Sequence, residues 1–365
     1  MVIAKYCAEH FRNLKKIEFF PDPGINVIYG ENGQGKTNIV ESIWMFTGCH
    51  SFRTHKHTEL IEKTKREAQV SLSFTAHGME NDAVLKINQK REFMMNGAIK
   101  ESPRRFLGEF QSVVFSPDSL SIIQDAPSER RKFLDIAISM IRPAYSTHLL
   151  KYTKILANRN ALLKQISMGT AQENYLDAWD EELARAGAHL TLYRLHYVDN
   201  LAGIAAEIYK EISGGKESLR LEYQQSSRSF SVDEYEMTEN IFIALKKNRE
   251  SDIRRQLTGV GPHKDDLLLT IDDLAARQYA SQGQQRSSAL ALKLAEAYII
   301  KETCGEYPVI LLDDVMSELD VNRQNFLLEY LKNWQVFLTC CDSSQVLRLQ
   351  NCKTFHIENG MCVGE

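Results

Sequence analysis

Over roughly the first 115 residues, strand-like segments of alternating or wholly apolar character recur between short polar turns. Ile3–Ala8, Lys16–Phe20 and Ile25–Tyr29 each read as strands, with Pro21-Asp22-Pro23-Gly24 as the turn before the third. The third is apolar enough for a buried strand. Helical periodicity replaces the alternation over Thr37–Phe46. Strands return at Glu67–Thr75, Ala83–Ile87 and Arg91–Met95, a meander with Asn96-Gly97 as hairpin turn, and Val113-Val114-Phe115 closes the stretch before Pro117. From Ser128 to about Ser213 the pattern is helical, broken once at Ser167-Met168-Gly169-Thr170. Pro143–Ile166 and Ala171–Ile212 are expected to form an antiparallel helical hairpin, whose first arm would be about 36 Å long. Gly214-Gly215 ends it; Ser218–Tyr223 reads as strand and Val232–Lys247 as helix. Beyond lie strands at Asp266–Ile271, Val309–Leu312, Val336–Thr339 and Thr354–Ile357, with helices at Arg286–Lys301 and Asn322–Asn333. Their alternation predicts a parallel sheet with right-handed crossovers.

Four short motifs stand on this framework. Gly30-Glu31-Asn32-Gly33-Gln34-Gly35-Lys36-Thr37 joins the Ile25–Tyr29 strand to the helix after it and fits the phosphate-loop pattern G-x-x-x-x-G-K-[ST]. Its glycines let backbone N–H groups curl around phosphate oxygens. Lys36 would reach the β and γ phosphates of ATP, and the Thr37 hydroxyl would bind Mg²⁺. Val309-Ile310-Leu311-Leu312 runs into Asp313-Asp314, two carboxylates at the tip of a central strand. Asp313 is placed for the Mg²⁺ shell and Asp314 to position or deprotonate a water, although an acidic pair there also serves as a helix N-cap. Ser281-Gln282-Gly283-Gln284-Gln285 precedes the amphipathic Arg286–Lys301 helix, where a Ser/Gly turn is a natural anion site. No second lysine loop lies near it, which suggests that Ser281, Gln282 and Gly283 complete the nucleotide site of another subunit. Ser317-Glu318-Leu319-Asp320 is the fourth; it reads equally as an N-cap for the helix near Asn322.

This combination resembles the heads of ABC-type ATPases, in which the signature segment of one head closes over ATP held by its twin. Within them the chain is similar over nearly its whole length to the RecF family of bacterial recombination-mediator ATPases. The residues that carry the likeness are Asn32–Asn38, Ser51-Phe52-Arg53-Thr54, Phe115-Ser116-Pro117-Asp118, Pro127–Asp135, Gly261-Pro262-His263-Lys264-Asp265-Asp266, and the Ser281 and Ser317 segments. The resemblance implies an α/β fold: an ABC-type ATPase head, a P-loop sheet with crossover helices, from residues 1–117 and 258–365. Residues 118–257 would be an inserted compact helical lobe carrying the short antiparallel arm. It also implies an ATP-dependent homodimer, with Ser317–Asp320 as the loop that crosses to the partner. Further implications are duplex DNA beside a gap or single/double-strand junction as ligand, RecO and RecR as partners in loading RecA, and roles in DNA replication maintenance and the SOS response. The resemblance implies a DNA-dependent ATPase, and two departures from its pattern point to slow hydrolysis. Asp314 stands where many relatives have the longer Glu, and Thr339-Cys340-Cys341-Asp342 holds no switch histidine. Neither Gln111 nor Gln124 falls where relatives keep a Mg²⁺-sensing glutamine, which leaves Asp118 as a substitute. A transporter nucleotide-binding subunit and a non-hydrolysing, ATP-gated clamp are the alternatives.

Other residues have two readings each. Arg12-Asn13 either meets adenine or phosphate or simply solvates a strand end, and Asn38 either caps its helix or touches ligand. Arg130 and Arg131 bind DNA phosphate or brace the lobe, and His263 is expected to be a buried structural histidine. Charge adds little: the net value is −4, but residues 1–110 hold sixteen Lys/Arg against thirteen Asp/Glu while 258–365 hold nine against fifteen. A basic DNA-docking surface would therefore draw on the earlier clusters at Lys63–Arg66, Lys90-Arg91, Arg104-Arg105 and Arg130–Lys132, with a further one at Lys246–Arg249. No apolar run approaches membrane-spanning length, and Met1–Tyr6 alternates like a strand rather than a signal peptide. The seven cysteines include no C-x-x-C pair and read as reduced thiols of a cytoplasmic protein, with Cys340-Cys341 on a buried strand end.

Overall fold

A computed structural model of the chain describes residues 1–54, 56–100, 103–227, 231–341 and 352–364. It divides into two compact units, Met1–Ser119 with Ala289–Glu365, and Leu120–Ser288.

The first unit contains two six-stranded sheets. One joins the first two strands, β1 (Val2–Phe11) and β2 (Leu14–Phe19), to the expected three-stranded meander of β4 (Ala68–Ala76), β5 (Met79–Ile87) and β6 (Arg91–Met95) with a further strand β7 (Ala98–Lys100), in the order β2-β1-β4-β5-β6-β7 and antiparallel throughout. The other comprises β3 (Ile25–Tyr29), β8 (Ser112–Phe115), β12 (Val309–Asp313), β13 (Val336–Cys340), β14 (Cys352–Glu358) and β15 (Met361–Gly364), in the order β15-β14-β3-β13-β12-β8. Its inner pairs are all parallel, as the strand–helix alternation predicts; only β15 returns antiparallel. Every residue of β12 and β13 is buried, and each large apolar side chain there contributes about 1.5–3 kcal/mol. The register sets Asp313 beside Thr339 and Cys340 beside Tyr29, so the functional strand tips line up. Buried Asn26 fixes the start of β3: it accepts from Asp22 N at 2.7 Å and donates to the Asp22 and Gly24 carbonyls at 2.8 and 3.0 Å. The helices of this unit are α1 (Lys36–Trp44), α9 (Val321–Tyr330) and most of α8 (Gln282–Cys304).

The second unit holds α2 (Ser121–Gln124), α3 (Pro127–Ile141), α4 (Pro143–Ser167), α5 (Leu176–Ile212), α6 (Glu234–Arg255) and α7 (Ala276–Tyr279). A small antiparallel sheet of β9 (Leu219–Gln224), β10 (Asp266–Ile271) and β11 (Leu274–Ala275) completes it. Near the break between α4 and α5, Leu162, Leu163 and Leu176 bury one another under Trp179, Ile166 and Ile253. The expected return to the head at residue 258 is corrected to 289. β10 pairs with β9 along its whole length, from Asp266 opposite Gln224 to Ile271 opposite Leu219, and keeps 258–288 with the insert. Two helix bounds also move: α5 begins at Leu176 after a 3₁₀ turn, and α6 continues to Arg255.

Candidate functional site

The phosphate-loop segment leaves the tip of β3 and enters α1 through Gly35, whose φ is +115°. A side chain at Gly35 would come within 2.8 Å of Asn13 Oδ1, and one at Gly30 within 2.3 Å of the Ile357 carbonyl, so the loop's path requires glycine at both. Asn38 N and Ile39 N donate to the Gly35 carbonyl at 3.0 and 3.1 Å and start the helix. Lys36 is buried and donates from Nζ to the carbonyls of Gly30 at 2.6 Å and Glu31 at 2.8 Å. Neighbouring segments brace the loop: Asn13 Nδ2 donates to the Gly33 carbonyl at 2.7 Å, Asn359 N to Gln34 Oε1 at 2.6 Å, and Cys341 Sγ to Asn32 Oδ1 at 2.9 Å.

Asp313 lies next to this loop. Its Oδ1 accepts from Thr37 Oγ1 and from Thr339 Oγ1, each at 2.9 Å. Burial pushes the Asp313 carboxyl up, against the two threonine hydroxyls and the nearby Arg53 charge. A hard cation would favour its ionised form, and hydroxyl plus carboxylate oxygens are the donor set Mg²⁺ takes. Asp314, by contrast, is exposed and adopts a left-handed backbone with φ +54°. Its N–H donates to Thr339 Oγ1 at 2.9 Å. Ser317 Oγ lies 2.8 Å from the Asp314 carbonyl and 3.1 Å from its Oδ1. Asp320 does cap α9, accepting from Asn322 N and Arg323 N.

A cavity of about 720 Å³ opens over these groups, within the usual range of about 300–1,000 Å³ for small-molecule sites. Asn32, Gly33, Gly35, Lys36, Thr37, Asp314, Thr339 and Cys341 line it, with Arg12, Asn13, Lys15, Asn38, Arg53 and Glu59–Thr64 region residues Glu59, Ile61, Glu62, Lys63 and Thr64. Five of the lining side chains are cationic and three are carboxylates, a balance that favours an anionic ligand. Arg12, at φ +53°, lies on the cavity wall in a bidentate pair with Glu41, which is fully buried on α1. Glu41 also holds Ser51 Oγ and lies 3.4 Å from Arg53 Nη1. Asn38 does not cap its helix: it donates to Asn13 Oδ1 at 2.6 Å and accepts from Arg53 at 2.7 Å. Glu41 and Thr339 were not among the expected site residues. The available signals were a carboxylate on an otherwise apolar helix face and a threonine on the strand beside Asp313.

The signature segment belongs to the second unit. Helix α8 begins at Gln282, so these residues form its first turn rather than a turn before it. Ser281 Oγ accepts from Gln284 N at 3.2 Å while Gln284 Oε1 accepts from Ser281 N at 2.8 Å, a reciprocal capping box. Gln284 Nε2 donates to Glu217 at 3.0 Å, and Gln285 accepts from Gln124 Nε2 at 2.8 Å. Gln124 is thus a bracket of this turn. Gln111 is buried against Cys304, and exposed Asp118 is not among the cavity residues.

Elsewhere in the second unit, Arg130 is buried in a bidentate pair with Asp266, and Arg131 donates to the Asp265 carbonyl at 2.7 Å. Both brace the unit internally. His263, expected to be buried, is half-buried between Tyr152 OH at 2.6 Å and the Thr258 carbonyl at 3.0 Å. The carbonyl requires a proton on Nε2, so Nδ1 accepts from the tyrosine and the ring is neutral. Burial lowers its pKa to about 4. Cys340 ends its strand buried but Cys341 is exposed, and Asp342 lies outside the described residues.

The chain is similar over nearly its whole length to known proteins. The model of the "RecF/RecN/SMC N terminal domain" matches residues 2–362. The "DNA replication and repair protein RecF" of Clostridium tetani is 37% identical over 358 residues, 97% of each chain. That of Lachnospira eligens is 36% identical over 371 aligned positions, 100% of each. The solved structure of "the recombination mediator protein RecF-ATP in RecFOR pathway" superposes with a TM-score of 0.91 at 36% identity, covering 99% of this chain and 96% of that one.

Proposed function

The chain belongs to the RecF/RecN/SMC N-terminal domain family, with an ABC/SMC-like P-loop ATPase head, and on that basis we propose a slow, DNA-dependent ATPase of recombinational DNA repair. One observation carries the reading: Lys36, Thr37 and Asp314 line one cavity, and Thr37 there donates to the buried Asp313, 276 residues away in sequence. Lys36 exchanges its loop carbonyls for β and γ phosphate oxygens, while backbone N–H groups of Gly33–Thr37 cradle the chain. Thr37 and Asp313 would hold Mg²⁺, which would offset phosphate charge. Asp314 orients a water and takes its proton as the oxygen attacks the γ-phosphorus; the bond to the β-phosphate oxygen breaks and ADP leaves.

The second half of each site comes from a twin chain. Ser281, Gln282 and Gly283 of one protomer close over the γ-phosphate held by the other, so two antiparallel heads enclose two nucleotides. The dimer grips duplex DNA at a gap or single/double-strand junction and, with RecO and RecR, helps load RecA in the cytoplasm during replication maintenance and the SOS response. Among the described residues no helix is long and apolar enough to cross a membrane. The non-hydrolysing clamp has one observation in its favour, the Ser317 hydroxyl on the already short Asp314.

Steady-state hydrolysis measured against added double- and single-stranded DNA tests the reading. Turnover that rises with duplex, weakens steeply with salt and ignores sequence is expected. No turnover with ATP-enhanced DNA binding would select the clamp, and no response to DNA of either kind would refute both.

A further inference from the structure

Five polar residues form one unbroken chain from the phosphate loop to the segment after the acidic pair. Thr37 Oγ1 donates to Asp313 Oδ1 at 2.9 Å; Thr339 Oγ1 donates to the same oxygen at 2.9 Å and accepts from Asp314 N at 2.9 Å; Ser317 Oγ lies 2.8 Å from the Asp314 carbonyl and 3.1 Å from its carboxylate. Thr339 is the link no motif singles out. Its side chain is 2% exposed at the tip of β13, in register with Asp313 on the parallel neighbour. A hydroxyl has one proton to give, and here it goes to Asp313 while a lone pair receives the Asp314 amide. The Asp314 backbone needs such a partner, because its left-handed conformation at φ +54° is uncommon for a residue with a side chain.

We propose that Thr339 is a positioning residue. It holds the Asp313 carboxylate toward Thr37, fixes the left-handed Asp314, and so couples Ser317 to the cation-binding oxygens. The inference rests on the nucleotide reading of the cavity and deepens it. The chain gives the Ser317 segment a physical route to the chemistry. Moving the Ser317 hydroxyl off Asp314 frees a carboxylate whose backbone is tied, through one threonine, to the oxygen that would carry Mg²⁺. Valine keeps the shape of threonine and removes both bonds; serine keeps both bonds.

The test uses the full chain and a fluorescent ATP analogue. Without divalent cation, Thr339→Val should change analogue affinity less than it does with Mg²⁺, because Lys36 and the loop are untouched although Thr339 lines the cavity. The Mg²⁺ concentration needed for half-maximal tightening should rise about 10-fold, and kcat should fall about 10- to 100-fold with little change in KM. Thr339→Ser should restore both. Ser317→Ala should shift the Mg²⁺ requirement in the same direction by less, and in the double variant that requirement should be no higher than in Thr339→Val alone, the non-additivity of one chain. If the valine variant does not fold, Ser317→Ala still reads the coupling on an exposed residue, and a parental Mg²⁺ dependence there would overturn it. A folded Thr339→Val with parental Mg²⁺ dependence, a serine variant as impaired as valine, or strictly additive effects would also overturn it while leaving the nucleotide reading intact. A parent protein that binds the analogue no better with Mg²⁺ than without would remove both.

Discussion

In the first unit, fully buried Glu41 gathers Arg12, Arg53 and Ser51, yet Arg12 and Arg53 keep 18% and 38% of their side chains exposed and line the cavity. In the second unit, Arg159 is 0% exposed and is enclosed by Asp180, Asp252 and Thr258 at 2.7 to 2.8 Å. Both are buried ion-pair networks, and burial alone does not distinguish them. The distinguishing feature is direction. The Glu41 network turns cations toward open space, whereas the Arg159 network turns every bond inward and ties α4, α5, α6 and the segment after α6 together. Perturbed or buried charge marks a functional site only when capacity for a ligand remains.

The contrast predicts opposite phenotypes. Arg159→Ala leaves Asp252 without a cation and Asp180 with Arg249 alone, and should lower unfolding stability by about 3–5 kcal/mol. A denaturant titration measures this, and the folded fraction should still bind ATP. His263 belongs with the closed network. Its folded-state pKa of about 4 lies below the unfolded value of 6.5, so its contribution is complete above pH 6.5 and is lost as pH falls toward 4. The difference is about 3 kcal/mol. His263→Gln should flatten that part of the stability–pH curve, and an equally steep curve would show that other groups set it. Lys36→Ala inverts the pattern. It should weaken ATP binding by about 1.5–3 kcal/mol, roughly 10- to 150-fold, with the thermal midpoint close to the parent's. Unchanged binding of a fluorescent ATP analogue would mean that the loop is not the nucleotide site.

Much of the first unit was legible because its signals are local. β3 and β6 match their expected bounds residue for residue, as does β10 in the second unit, and the loop's glycines and the Asp313 tip announce themselves within a few positions. Contacts distant in sequence were not legible. The partnership of Thr339 with Asp313 spans 26 residues and that of Arg12 with Glu41 spans 29, and neither has a local pattern. The misplaced return point has the same origin, since contacts distant in sequence, such as β10 with β9 and Arg130 with Asp266, keep 258–288 with the insert. The capping box at Ser281 and Gln284 is the exception: its S-x-x-Q spacing was there to read and sets the start of α8.

The central claim is that each nucleotide site is completed by a second copy of the chain. Light scattering of the parent and of Ser281→Arg, each with and without ATP and Mg²⁺, tests it most directly. The parent should pass from monomer to dimer only with ATP and Mg²⁺. The variant should bind ATP through its intact phosphate loop but remain monomeric and fail to hydrolyse it, because a bulky cation occupies the turn that docks on the partner's γ-phosphate. A variant that dimerises with ATP as the parent does, or a parent that hydrolyses ATP while monomeric at every concentration, would contradict the composite site.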